Sequence, residues 1–208
     1  MRVSALPLVI GVFAQWTASS HLSNVKPLKH IPYFESSPHI YPSKEVNVKK
    51  QTTTFTPFLE KNLNGFKEAL AFKESQGKYS VVNTFGYIGK YQFGKGTLEL
   101  VGIYNPTKFL KNPELQEKAF LANLSRNKWI LRKDIKKFEG KCINGVMVTE
   151  SGILAAAHLA GPGSVKKFLR SYGKNAFADG YGTTIEEYLK KFKSFDLSII
   201  EGNRKAKA

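Results

Sequence analysis

The sequence predicts a mainly α domain arranged around one buried central helix, and three observations carry that reading. Phe66, Ala69, Leu70 and then Lys73/Glu74 recur at helical spacing. Several later stretches begin and end on helix start and stop residues. Residues 153–160, Ile-Leu-Ala-Ala-Ala-His-Leu-Ala, are apolar on all sides, as a helix enclosed by others must be.

The elements follow in order. The first amphipathic helix ends at Gly77, a natural stop, which leaves Glu74 at the end of its apolar stripe. Asn112-Pro113-Glu114 supplies a cap, a first-turn proline and an acid that suits the helix dipole. It opens a helical stretch toward Phe138, as one helix or two, stopped by Gly140. Ser164 is placed to cap a helix carrying Val165, Phe168, Leu169 and Tyr172, stopped by Gly173. Thr184 and Glu187 form a capping box before Ile185, Tyr188, Leu189 and Phe192.

Upstream, the character of the chain is different. Met1-Arg2, an uncharged apolar run of residues 3–16 and small residues at 17–20 read as a secretory signal over residues 1–20. Pro7 and Gly11 interrupt that run, which is shorter than the roughly 20 residues a bilayer span needs. An uncleaved anchor or a buried helix is the alternative. Residues 21–57 hold five of the nine prolines and keep no period, so they read as a linker or extended arm, with Tyr33, Phe34 and Tyr41 able to dock part of it. Residues 58–198 then form the domain, and residues 199–208 a basic C-terminal tail. No internal repeat stands out.

The balance of 32 Lys and Arg against 16 Asp and Glu gives +16, which predicts attraction to polyanions. Export turns that expectation away from nucleic acid and toward the cell envelope, in a periplasmic or secreted monomer with no stable membrane insertion after signal cleavage. Most of the lysines are read as solvated faces. One cysteine, Cys142, excludes an internal disulfide and reads as a buried bystander thiol. No metal site or cofactor is expected, because His21, His30 and His39 lie in the arm and His158 stands alone.

The chemistry centres on Glu74. Carried toward the core side, its carboxyl meets desolvation that disfavours the charged form, which suits a general acid; a surface glutamate at a helix end is the alternative. Its neighbours decide. Glu74-Ser75 is followed by Gly89-Lys90-Tyr91-Gln92, and later by Ala157-His158-Leu159-Ala160-Gly161 with Pro162-Gly163 beyond. This order resembles the lytic transglycosylases of the lysozyme-like superfamily, whose signatures are Glu-Ser at a helix end, a Gly-Leu-Met-Gln turn and an Ala-Tyr-Asn-Ala-Gly helix end.

The resemblance implies a lysozyme-like α+β fold and cleavage of the β-1,4 bond between N-acetylmuramic acid and N-acetylglucosamine in peptidoglycan. Glu74 would be the single catalytic acid, giving a 1,6-anhydro product. It implies substrate-side roles for Ser75, Gly89, Tyr91, Gln92 and His158: Gln92 near an N-acetyl group, Tyr91 as a stacking face, and His158 holding the Glu74 carboxyl in place of the family's tyrosine. A charged His158 would favour ionised Glu74, so activity is expected to fall below about pH 6.5. Core packing remains the alternative for Tyr91, and a backbone-bonded core histidine for His158. Leu159 stands where the family has asparagine. Glu150 reads as a first-turn acid before a catalytic one, and Asp179 and Asp196 as loop or terminal acids. A lysozyme-type hydrolase, a silent peptidoglycan-binding module and a polyanion binder stay open as other functions.

Overall fold

The computed structural model describes residues 60–208; the signal and arm regions, with their histidines and aromatics, lie outside the described residues. About half of the described residues are helical: α1 Leu63–Ser75, α2 Lys95–Leu100, α3 Pro106–Leu110, α4 Pro113–Phe138, α5 Glu150–Arg170 and α6 Ile185–Lys191. One small antiparallel pair, β1 Cys142–Ile143 and β2 Val146–Met147, stands between α4 and α5. The chain is mainly α. No described helix is long and apolar enough to cross a membrane.

Local signals explain the ends of these elements. The side chain of Asn62 accepts from the amide of Gly65 and starts α1. The helix closes at Ser75, earlier than the Gly77 stop expected, because Gln76 itself takes the left-handed conformation at φ 57° and Gly77 continues it at φ 77°. Asn112 and Pro113 start α4, a single helix of 26 residues. Thr184 and Glu187 make both bonds of the capping box. The β1–β2 turn is Asn144-Gly145 with both residues at positive φ, the arrangement that matches strand twist. Pleat alternation turns Ile143 into the core and Cys142 outward, so the thiol is exposed rather than buried.

The first half of α5 is the centre of the molecule, with residues 151–157 all buried. It packs against α4 and α6. Gly152 allows the approach of α6: a Cβ there would lie 2.9 Å from the Leu189 carbonyl oxygen and 3.2 Å from its Cα. The helical path breaks at Gly161 (φ 74°, ψ 154°), followed by Pro162. Proline suits a first-turn position because it needs no amide partner there. The second segment therefore begins ahead of Ser164, which lies inside it and is not its cap. Around α5 an aromatic layer joins α1 to α6, with the Phe66 ring 5.8 Å from Phe192 and 5.6 Å from Phe195.

The last ten residues are docked, not free as a tail. Ser125 of α4 donates to the Glu201 carbonyl and accepts from the Asn203 amide, Arg126 donates to the Arg204 carbonyl, and Arg204 lies over the Trp129 ring. Farther on, the Ala208 amide donates to the Val101 carbonyl at 3.0 Å. Their basic side chains concealed from the sequence that these bonds are made mainly through backbone atoms.

Candidate active site

Glu74 sits in the last turn of α1, half-buried, at the wall of a cleft of about 510 Å³. Its Oε1 accepts a hydrogen bond from the Tyr188 phenol of α6, at 2.5 Å. Burial raises the phenol's pKa, and the charge and hydrogen bond of Glu74 raise it further, so Tyr188 stays a donor throughout the ordinary pH range. The carboxyl is thereby fixed through one oxygen. Gln92, His158 and Leu159 line the same cleft, which thus gathers all three sequence signatures.

The second signature is a turn held from several sides. Gly89 has φ 80°, and a Cβ there would fall 2.4 Å from the Gln116 side-chain oxygen, so glycine is required on both counts. The Lys90 amide donates to that same Gln116 oxygen at 2.8 Å. Ser75 donates to the Lys90 carbonyl at 2.7 Å. Ser75 and Gly89 therefore position the turn from behind and are not among the residues lining the cleft.

Tyr91 corrects a sequence expectation. Its ring is 0% exposed and stacked on Phe120 at 4.1 Å, and its phenol donates to Glu117 at 2.8 Å, so neither face is open to a sugar. Only Gln92, at the end of the turn with φ 48°, reaches the cleft. Its Nε2 donates to the Gly89 carbonyl at 2.8 Å, while its Oε1 is buried without a partner.

His158 also differs from expectation. Its Nε2 lies 2.8 Å from the Tyr91 carbonyl, an acceptor, so Nε2 is the donor of that bond, and Nδ1 is buried without a partner. The imidazole is thus spent on the turn and not on Glu74. The holding role belongs to Tyr188, which helical spacing places on the apolar stripe of α6 without showing where its hydroxyl reaches. A tyrosine on an otherwise apolar face, needing a partner for its hydroxyl, was the available signal.

Comparison with protein-family models, with curated proteins and with solved structures finds no match for this chain.

Sequence reasoning also missed Glu117. It lies in α4 and gathers Lys67 at 2.6 Å, Tyr79 at 2.8 Å, Tyr91 at 2.8 Å and Lys90 at 3.0 Å. Burial alone would raise its pKa; the four donors outweigh that and hold it at about 2. Burial likewise opposes the charge on Lys90, but Glu68 at 2.7 Å, Glu117 and Tyr79 together push its pKa above the ordinary lysine value. The cluster anchors Lys90 and Tyr91 behind the Gln92 turn.

The other acids have structural partners. Glu150, in the first turn of α5, pairs with Lys128 at 2.7 Å. Asp196 accepts from the Ser198 amide at 2.9 Å. Asp179 lines the cleft, with Oδ1 accepting from the amides of Tyr181 at 2.9 Å and Thr183 at 2.7 Å.

Proposed function

We propose that the protein is a peptidoglycan lytic transglycosylase with a lysozyme-like fold, in which Glu74 is the single catalytic acid and base. One observation carries this reading: a carboxyl fixed through one oxygen by Tyr188 faces a cleft that also receives Gln92 and His158. In the reaction, protonated Glu74 gives its proton to the glycosidic oxygen, and the C1–O4 bond of the N-acetylmuramoyl residue breaks. The oxocarbenium-like centre at C1 is then attacked by the same sugar's C6 hydroxyl oxygen. Ionised Glu74 takes the hydroxyl proton, so the acid is regenerated and no water is consumed.

Tyr188 holds Oε1 and leaves the other oxygen to carry the proton both ways. A water-consuming reaction of the two-carboxylate type needs a second carboxylate. Asp179 is the other acid lining the cleft, and its Oδ1 is committed to two backbone amides. The single-carboxylate route therefore rests on Asp179 serving its own loop, which Asp179→Asn tests.

The test is mass spectrometry of soluble products from purified peptidoglycan, with Glu74→Gln as control. Anhydro-muropeptides from the wild type alone are expected. Reducing-end hydrated products would replace this reading with a lysozyme, and wall binding without products would replace it with a binding module. The reading places the protein in the cell envelope, as a periplasmic or secreted enzyme.

A further inference from the structure

Two loops of the cleft are built on one plan. Residues 82–88, Val-Asn-Thr-Phe-Gly-Tyr-Ile, and residues 178–184, Ala-Asp-Gly-Tyr-Gly-Thr-Thr, are each closed by a β-bridge, Val82 with Ile88 and Ala178 with Thr184. In the first, the Asn83 side chain accepts from the amides of Phe85 and Tyr87, the Asn83 amide donates to the Tyr87 carbonyl, and the Gly86 amide donates to the Asn83 carbonyl. In the second, Asp179 makes the same four bonds with Tyr181, Thr183 and Gly182. Gly86 and Gly182 share φ values of 80° and 81°. Each frame presents an aromatic at its centre, Phe85 and Tyr181.

Those aromatics meet. The rings lie edge to face at 4.9 Å, and the Tyr181 and Thr84 hydroxyls are 2.8 Å apart. Both rings line the cleft, yet Phe85 is 56% and Tyr181 63% exposed, which puts them at its rim. Exposed apolar rings on frames so fully bonded are preorganised for a ligand, because little freedom is left to lose on binding. Behind them the cleft wall holds Gln92, only 8% exposed, whose buried Oε1 lacks a donor.

We propose that the twin hairpins are a carbohydrate clasp. An exposed ring face of the Phe85–Tyr181 pair takes the C–H face of a β-1,4-linked N-acetylhexosamine ring while the perpendicular ring walls its edge, in a subsite apart from the bond that Glu74 acts on. The clasp rests on the glycan reading above. It supplies the stacking surface that buried Tyr91 does not.

The test uses the full chain in a Glu74→Gln background, which leaves glycan uncut, with chitotetraose as the probe and titration calorimetry as the readout. Phe85→Ser with Tyr181→Ser is expected to weaken binding roughly four- to a hundredfold, at about two- to tenfold per ring. Phe85→Tyr with Tyr181→Phe should restore it, and Tyr104→Ser, an exposed aromatic outside the cleft lining, should change nothing. Gly180→Ala is an independent probe, since its Cβ would lie 2.7 Å from the tip of the Phe85 ring and pry the pair apart without removing either ring. Equal affinity in the double-serine variant would overturn the clasp alone. No binding by the Glu74→Gln chain with its hairpins intact would overturn the glycan reading, and the clasp with it.

Discussion

Glu117 and Glu74 are both acids carried by helices and partly covered, and they live under opposite conditions. Glu117 has four donors around its two oxygens, two of them cationic. Glu74 has one neutral donor on one oxygen and a cleft before the other. A carboxylate surrounded by donors is locked as an anion and serves as an anchor. One that is held at a single point can exchange a proton. The number of donors, more than burial, separates the structural acid from the one proposed to react.

The sharpest way to break this contrast is Glu74→Gln. Turnover on peptidoglycan should fall by about 10² to 10⁴-fold, the usual worth of a general acid and base, while urea unfolding shifts by less than about 0.5 kcal/mol. A glutamine keeps the acceptor for Tyr188, so a large stability loss would mean that Glu74 is an anchor as well.

Glu117→Gln should do the reverse and cost about 2–3 kcal/mol in the same unfolding experiment, by leaving Lys67 and Lys90 short of their counter-charge. The pH dependence has a fixed sign. A pKa depressed from 4.5 to about 2 in the folded state gives stability that is fully present above pH 4.5 and is lost as pH falls toward 2. The gap between wild type and Glu117→Gln should close across that window. A gap that stayed constant would remove the anchor role.

Tyr188→Phe keeps the packing and deletes the bond to Glu74, so turnover should fall roughly ten- to a hundredfold, in line with a hydrogen bond to a charged group. The smallest effect is expected from Asp179→Asn. Asn83 already makes the same hairpin bonds without a charge, so stability should change by no more than about 0.5 kcal/mol. A fall in turnover beyond tenfold would instead make Asp179 a second working carboxylate.

Local chemistry is what the sequence displayed well. The capping box at Thr184, the Asn112-Pro113 start of α4 and the enclosed 153–160 segment all stand in the structure, because each is decided by residues within a turn or two of one another. The gathering of Glu74, Gln92 and His158 was visible through the order of three short motifs. The tasks of Tyr91 and His158 were not, since their partners, Phe120, Glu117 and the Tyr91 carbonyl, are set by how α4 and α5 meet the turn. Tyr188 reaches Glu74 from the far end of the domain sequence, beyond any helical periodicity. The twin hairpins are not legible as a repeat in the sequence because they share a bonding pattern and two types of position, Asx and glycine, but little identity.

The glycine at 152 has a consequence outside folding. α6 lies against α5 there because a methyl group is missing, and Leu189, which meets that gap, follows Tyr188 in the chain. The reach of the phenol toward the acid is therefore gauged by one absent carbon on another helix. A glycine-to-alanine change needs a single base substitution. The geometry at the Glu74 carboxyl thus lies one inherited mutation from adjustment, with every residue of the cleft unchanged.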